Sequence, residues 1–292
     1  MRNFFRRLWG AATAPFVKLG NVIARPFRAV YRFMMTEPLS QPMTDILAAL
    51  VEDEETRRHA RDDLNKLRWH IIRSLIVLTI VTALAWIKID PIIRFLAEPV
   101  GGVEKLQVLE LTESLGVYMK AALIAGFGVS LLYIAFELWL YIAPGLHVKA
   151  RWLSMIAIPA AFFLFLIGAW FTHAYILPTA VKFLLNFGDF QANPIAGKYF
   201  SVITRLIFWI SLSFEFPLVT AVLALAGWVS HRDLLRYWRI AMIGIAVIAA
   251  IVTPTTDPGN MALVMAPMAA LYFIGILTSF LFGRRKKTPI EN

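Results

Sequence analysis

The segment Ser211-Leu-Ser-Phe-Glu-Phe-Pro-Leu-Val219 places a carboxylate and a proline inside an apolar run that extends from about Phe200 to Ala226. If this run spans a bilayer, Glu215 lies near its middle. A charge at that depth costs about 2.5–3.5 kcal/mol on insertion scales, so intramembrane acids usually face the interior of a helix bundle and take part in function. Glu215 is therefore the first candidate functional residue.

The composition predicts an integral membrane protein. Of the 292 residues, 59% are hydrophobic and only 16% are charged, and the mean hydropathy is +0.67. Soluble globular domains carry about 45–50% apolar residues. Several segments approach the roughly 20 apolar residues that a transmembrane helix needs. The chain has no cysteine, which excludes disulfides, thiolate metal sites and cysteine nucleophiles.

Residues 1–36 form a basic amphipathic segment. They contain seven Arg or Lys residues and no acid, and the apolar side chains fall on one side of a helical projection. This pattern predicts helices that lie in the membrane interface with anionic lipids as partners, divided at Pro15 and Pro26. A flexible basic tail is the alternative. A secretory signal is not expected, because Arg6 and Arg7 interrupt any apolar core.

Residues 37–70 are predicted to form a cytoplasmic linker, acidic at first and then basic. The stretch from Glu37 to Asp62 holds seven acids and three arginines, which is typical of a solvated linker or a short helix. The basic segment Asn65–His70 leads directly into the first apolar run. Basic residues at that position indicate that this end of the run is cytoplasmic.

The apolar pattern predicts six transmembrane helices over residues 71–283, followed by a basic cytoplasmic tail at 284–292. The predicted spans are Ile71–Ile89, Leu115–Tyr141, Trp152–Leu177, Phe200–Ala226, Ile240–Val252 and Met261–Phe282. The fifth would cover only about 20 Å, so either the membrane thins there or the turn at 253–260 lies below its surface. The basic loops share the side of the N-terminus, which predicts that both termini are cytoplasmic.

No motif for catalysis or cofactor binding is present. The chain lacks H-E-x-x-H, G-x-S-x-G and P-loop patterns, so we expect neither an enzyme nor a cofactor. The five histidines have no metal-ligand spacing and are interpreted as solvated interface residues. Ser211, Ser213 and Pro217 predict a polar, slightly bent helix around Glu215. Asp257 is expected to shape its turn.

Other ionisable residues near the membrane have an ordinary interpretation. Lys120 and Arg205 lie near the ends of predicted spans, and Glu137 lies about one turn from a cytoplasmic end. Side chains at such positions can extend to the membrane surface. We therefore interpret all three as residues that reach the interface.

Several short motifs in chain order are similar to those of a known family. They are Glu113-Ser114 with Lys120, Trp139-Leu-Tyr-Ile-Ala-Pro-Gly-Leu146, Phe165-Leu-Ile-Gly168 with Tyr175 and Pro178, Ser213-Phe-Glu-Phe-Pro217, Thr253-Pro-Thr-Thr-Asp-Pro258 and Ala266-Pro267. Together they extend over residues 113–267. In these motifs the chain resembles TatC, the multi-pass core subunit of the twin-arginine protein translocase.

The resemblance implies a concave six-helix receptor in a prokaryotic cytoplasmic membrane, with two short final helices. It further implies binding of twin-arginine signal peptides on folded cargo and transport driven by the proton-motive force. Single-span TatA-like and TatB-like partners would dock along the last two helices, in a homo- or hetero-oligomer, with no nucleic acid. By resemblance, the residues that bind the signal peptide or the partner subunits are Arg68, Glu215 and Asp257. The Pro144-Gly145 turn supports them as a helix break.

The chain departs from the family pattern at four recognition positions. Lys66 stands where the family has a glutamate before the first span, and His70 stands in place of an arginine. Ala150 replaces a second cytoplasmic glutamate, and Phe273 replaces an acid in the last span. Two interpretations follow: acids elsewhere, at Asp62, Asp63 or Glu52–Glu55, receive the twin arginines, or the chain is a divergent paralogue that does not read them.

Two further functions are compatible with the residues alone. A small secondary transporter or channel could use Glu215 as a proton or cation site. Against it, the two halves of the chain show no inverted repeat and no matched pair of broken helices. A scaffold that thins the membrane through its interfacial N-terminus is the other alternative.

Overall fold

The computed structural model describes residues 54–185, 194–253 and 257–283, with side chains from residue 65 onward except at 149, 184 and 185. Five helical segments in this part of the chain are long and apolar enough to cross a membrane, and Trp238–Val252 is a shorter apolar helix. The predicted all-α membrane architecture is thereby confirmed. The predicted interfacial segment at 1–36 and the tail at 284–292 lie outside the described residues.

The first half of the described chain contains three membrane spans. Its helices are α1 (Glu54–Ile87), α2 (Ile89–Ala97), α3 (Glu113–Ile142), α4 (Val148–Met155), α5 (Ala157–Phe171) and α6 (Leu177–Leu185). A single π-helical turn, Thr172–Ile176, joins α5 to α6. A 3-10 turn at Ala143–Gly145 ends the second span at the predicted Pro-Gly break.

The second half contains the remaining spans. Its helices are α7 (Ala196–Phe214), α8 (Phe216–Ala226), α9 (His231–Arg236), α10 (Trp238–Val252) and α11 (Pro258–Phe282). The 15 residues of α10 cover about 22 Å at 1.5 Å per residue, which is shorter than the roughly 30 Å hydrocarbon core. The short fifth helix expected from the sequence is therefore present.

Three features differ from the sequence expectation. α1 runs without a break across residues 70 and 71, where the sequence predicted a change from linker to span. α2 was not predicted, and neither was α9, which begins with a capping box between Ser230 and Asp233. By contrast, the sequence anticipated the interruption of the fourth span, which is two helices, α7 and α8, that meet at Glu215.

α7 lies at the centre of the bundle. Its buried side chains Phe200, Ile203, Ile207 and Ile210 recur at helical spacing and belong to the main hydrophobic core. α3 packs against α1, α5 and α7, whereas α8 packs mainly on α11. In the most apolar stretch of the first span no residue is buried, whereas 44% of the residues are buried in the corresponding stretch of the fourth span. α1 is therefore a peripheral helix that contacts the bundle on one side.

Consecutive spans alternate in direction, which defines two ends of the bundle. We call the end where α1 enters the apolar region, and where α3, α8 and α11 finish, the entry end. At the other, the far end, the chain between α2 and α3 is tied to the start of α7 by a bridge between Gln107 and Ile195. Tyr199 also donates a hydrogen bond to Leu96 O there, at 3.0 Å.

Candidate functional site

Glu215 lies at the break between α7 and α8. Proline cannot donate a backbone hydrogen bond, so Pro217 leaves the carbonyl of Ser213 without its usual helical partner. The chain nevertheless stays close to helical, because Val219 N donates to Glu215 O at 2.9 Å. The Ser213 hydroxyl donates to Trp209 O at 2.7 Å. Polar groups thus line the break, in agreement with the sequence prediction.

The Glu215 side chain is buried inside the bundle and only 7% exposed. Its Oε1 atom has no hydrogen-bond partner among the described residues, and the same holds for Ser211 Oγ. A buried polar atom without a partner costs about 1–3 kcal/mol, and more when it is charged. Such atoms are uncommon in native structures, and each one needs a physical explanation, such as strain, a functional role or a bound water or ion.

Two apolar cavities meet at Glu215. One, of about 280 Å³, lies between the second, third and fourth spans and is lined by α3, α5, α7 and α8. The other, of about 440 Å³, lies between the fourth span and the last two helices, with walls that include Gly244, Ile248 and Tyr272. Leu212 and Val219 line both cavities. Glu215 therefore presents a carboxylate to apolar space on two sides.

A second buried carboxylate lies at the entry end. Glu137 is only 3% exposed; its Oε2 lies 2.5 Å from His70 Nδ1, and its Oε1 accepts a hydrogen bond from the Tyr133 hydroxyl at 2.5 Å. The interpretation of His70 as a solvated interface residue is therefore wrong, and Glu137 does not reach the membrane surface. Together these three side chains, which we call the His70 cluster, join α1 to α3.

Arg151 organises the turn between the second and third spans. Its side chain is 2% exposed, and its guanidinium donates to the carbonyls of Ala143 at 2.8 Å and Leu146 at 3.2 Å. Ala143 O also accepts a hydrogen bond from Leu146 N at 3.1 Å, so the arginine adds a charged donor to a turn that is already hydrogen-bonded. Pro144 and Gly145 are thereby held in a fixed turn. Ala150, where the family has a glutamate, is buried next to this arginine.

The other departures from the family pattern lie on exposed surfaces. Lys66 is exposed on α1 at the entry end, as is Arg68, which matches the family pattern. Phe273 is 49% exposed on α11. Lys66 therefore presents a positive charge on the surface where the resemblance places an acid.

Asp257 has a structural role at the far end. Its Oδ2 accepts a hydrogen bond from Asn260 N at 3.0 Å, which makes Asp257 the N-cap of α11. The expectation that Asp257 shapes its turn is confirmed. Arg68 lies at the entry end, Asp257 at the far end and Glu215 within the bundle, so the three predicted binding residues do not form one site.

Metal binding has no support in the described part of the chain. No group of three His, Asp or Glu residues there is arranged to hold a metal ion. Glu137 is paired with a histidine and a tyrosine instead. The site chemistry consists of hydrogen bonding and charge within an apolar bundle.

Two site features were not predicted from the sequence. They are the His70 cluster and the hydrogen bonds from Arg151 to the carbonyls of Ala143 and Leu146, which we call the Arg151 clasp. Tyr133 and Glu137 are four residues apart, a spacing that places them on one face of a helix. That spacing was the available signal for the hydrogen bond between them. His70 is 67 residues from Glu137, and nothing local in the sequence links the two.

The sequence comparisons agree with the geometry. Residues 62–267 match the family model described as Sec-independent protein translocase protein (TatC). A Sec-independent protein translocase protein TatC from Deinococcus radiodurans is 32% identical over 230 residues, covering 76% of this chain and 85% of the relative. The TatC protein of Synechocystis is 31% identical, with 76% and 88% covered.

A solved structure has the same fold. A crystal structure of the twin-arginine translocase receptor TatC superposes with a TM-score of 0.68 at 29% identity, covering 76% of this chain and 100% of the solved one. The five long apolar spans and the short helix α10 agree with that architecture. The family model, the relatives and the fold together show that this chain belongs to the TatC family of protein translocase subunits.

Proposed function

We propose that this chain is the multi-pass subunit of a twin-arginine-type translocase in a prokaryotic cytoplasmic membrane, with both termini cytoplasmic. It would act with single-span partners of the TatA and TatB type to export folded proteins, driven by the proton-motive force. It would bind and position helices and catalyse no covalent chemistry. Membership of the TatC family supports this proposal.

The observation that carries the proposal is the position of Glu215 between two apolar cavities. A signal peptide contains an apolar segment, and the partner subunits contribute single apolar helices, so either can fill apolar space inside a bundle. Both cavities have walls that are almost entirely apolar. Glu215 would then supply the one polar contact that orients the incoming helix.

The buried Oε1 atom of Glu215 gives an energetic reason for this polar contact. In the receptor alone, this atom lacks a hydrogen bond among the described residues. A hydroxyl, amide or protonated side chain on the incoming helix would satisfy it. Hydrogen bonds between transmembrane helices contribute about 0.6 kcal/mol on average and up to about 1.7 kcal/mol. The contact therefore adds selectivity to an association that apolar packing stabilises.

Recognition of the twin arginines requires acids other than the family's two glutamates. We propose that Asp62 and Asp63 serve this role, because both lie on α1 about one turn before Lys66. The continuous helix from Glu54 carries this acidic stretch directly into the first span. Ala150 is buried beside the Arg151 clasp, so a signal peptide cannot use that position without rearranging the turn.

Export of a folded reporter tests the function. The chain is expressed in a bacterial strain that lacks its own TatC-family subunit but retains the single-span partners. A folded fluorescent protein with a twin-arginine signal peptide is the cargo, and the same cargo with a twin-lysine signal is the control. We expect export of the first only, reduced by Glu215→Ala more strongly than by Glu215→Gln, because glutamine keeps a hydrogen-bonding group.

Three results would contradict parts of the proposal. Equal export of both signals would show that the twin arginines are not read. Unchanged export by an Asp62→Asn/Asp63→Asn variant would exclude these acids as the acceptors. Loss of all export with partner helices still co-purifying would indicate a divergent paralogue that assembles without reading the signal.

A further inference from the structure

Two cations lie on the wall of one cavity toward the far end of the bundle. Lys120 follows the start of α3 by seven residues and Arg205 follows the start of α7 by nine. At 1.5 Å per residue they lie about 10 and 14 Å along their helices. Both border a cavity of about 580 Å³ between the first, second and fourth spans. This cavity, which we call the cationic cavity, does not include Glu215.

The hydrogen bonds of the two cations go to neutral oxygens. Lys120 Nζ donates to Ser201 Oγ at 2.6 Å, and Arg205 Nη1 donates to Ile251 O at 3.2 Å. An ammonium has three N–H donors and a guanidinium five, so each side chain retains donor capacity. Among the described side chains, an ion pair within 4 Å joins His70 to Glu137 and involves neither of these cations.

Glu113, two turns earlier on α3, attracts Lys120 through its charge but forms no ion pair with it within 4 Å among the described residues, and both of its carboxylate oxygens accept hydrogen bonds from backbone amides. Its Oε2 accepts from Leu109 N at 2.8 Å, and its Oε1 accepts from Gly197 N. Cations at membrane depth are costly and are usually stabilised by an opposite charge. Both side chains are exposed and keep unused donors, so they can bind an anion that enters from the surroundings.

The walls of the cationic cavity change character with depth. Its polar residues are at the far-end level, and its apolar residues lie on the following turns of the same helices or on α1. The polar residues are Lys120, Ser201, Thr204 and Arg205, and the apolar ones are Leu78, Leu123, Ile124, Phe127, Phe208 and Trp209. This order matches an amphiphile with an anionic head toward the far end and an apolar chain toward the bilayer centre.

We propose that the cationic cavity binds an anionic glycerophospholipid. Its phosphate would lie between Lys120 and Arg205, and one acyl chain would run along Leu123, Phe127 and Phe208. The lipid would fill space between α1, which contacts the bundle on one side only, and α7. The site is independent of signal-peptide recognition, since it uses neither Glu215 nor the entry end.

Native mass spectrometry of the full chain in detergent, with phosphatidylglycerol added, tests the proposal. Each cation near an anionic lipid contributes a factor of about five in affinity. We therefore expect Lys120→Gln and Arg205→Gln to weaken binding about fivefold each and about 25-fold together. The charge-swapped variant Lys120→Arg/Arg205→Lys should bind within about twofold of the native chain, because both charges remain.

A matched control removes two cations elsewhere on the far-end surface. Lys105 and Lys182 are exposed and do not line the cationic cavity, so Lys105→Gln/Lys182→Gln should leave binding unchanged. Leu123→Trp fills the apolar part without altering charge and should weaken binding. This variant keeps the test decisive if removal of both cations prevents folding.

Three results would each overturn a different part of the lipid-binding proposal. Equal binding by the double Gln variant and the native chain would exclude the two cations. Equal retention of phosphatidylcholine and phosphatidylglycerol would exclude selection for net negative charge. Displacement of the lipid by inorganic phosphate at equal concentration would show that a free phosphate suffices and that the acyl contact is wrong.

Discussion

Removing the His70 imidazole should weaken the attachment of α1 to the rest of the bundle. α1 packs mainly on α3, and the His70 cluster is a polar contact between the two helices. Glu137 is 3% exposed and holds His70 Nδ1 and the Tyr133 hydroxyl, each at 2.5 Å. In His70→Ala, the carboxylate keeps the hydrogen bond from Tyr133, which is on its own helix, and the longer-range attraction of the Arg73 charge on α1.

The expected magnitude follows from the geometry. Hydrogen bonds to charged groups contribute about 1.5–3 kcal/mol in proteins, but interhelical bonds in membranes average about 0.6 kcal/mol and reach about 1.7 kcal/mol. A short bond to a buried carboxylate belongs near the upper membrane value. We expect a coupling free energy of about 1.5 kcal/mol between His70 and Glu137. Tyr133→Phe should reduce the free energy of unfolding by about 0.6 kcal/mol.

A double-mutant cycle measures this coupling. The native chain, His70→Ala, Glu137→Gln and the double variant are unfolded in mixed micelles of mild detergent and dodecyl sulfate, with tryptophan fluorescence as the signal. His147→Ala is the matched control, because His147 lies at the same end and is exposed. A surface substitution of this kind should change the free energy of unfolding by less than about 0.5 kcal/mol.

A coupling free energy below about 0.3 kcal/mol, which is the usual limit of additivity for independent sites, would contradict the predicted bond between His70 and Glu137. In that case His70 and Glu137 would contribute separately. A loss of stability in His147→Ala equal to that in His70→Ala would also contradict it. The cluster would then have no special role in holding α1.

Three further predictions concern stability. Arg151→Gln should lower the free energy of unfolding by about 2–3 kcal/mol, because buried carbonyls lose a charged donor; unfolding in mixed micelles measures it, and a loss below about 0.5 kcal/mol would contradict the clasp. Gly168→Ala should lower the free energy of unfolding by about 1–3 kcal/mol, because an added Cβ would lie 2.6 Å from Ser211 Cα. In the control Gly244→Ala, the added Cβ meets no atom within 4 Å, so the change should be neutral or stabilising. Equal effects of the two substitutions would contradict this prediction. Asp257→Ala should cost about 1 kcal/mol through loss of the α11 cap, and rescue by Asp257→Asn distinguishes capping from a charge effect.

Much of the fold follows from apolar periodicity and from helix-breaking residues. The sequence predicted the second span at Leu115–Tyr141, and the helix is Glu113–Ile142. It also anticipated the short α10 and the break near Pro217, since run length and proline are local properties. It did not predict α2, whose nine residues follow the first apolar run after Lys88 and carry Asp90 and Arg94.

The parts of the site that could not be predicted depend on tertiary contacts. The burial of Arg151 could not be predicted, because it depends on how the chain turns back at Pro144 and Gly145. The pairing of His70 with Glu137 depends on the packing of α1 on α3. By contrast, Glu215 was identified directly, because a single acid in a long apolar run is conspicuous without any knowledge of the fold.

The cavities beside Glu215 are proposed to receive an apolar helix. A photo-crosslinking amino acid at Val219, which lines both cavities, tests this claim in membranes that contain the single-span partners and a twin-arginine precursor. Position Phe163, which is 60% exposed on α5 and lines neither cavity, is the control. We predict crosslinks to a partner helix or the signal peptide from Val219, reduced by Glu215→Ala, and few from Phe163. Equal crosslinking from the two positions, or no dependence on Glu215, would show that these cavities do not receive a helix.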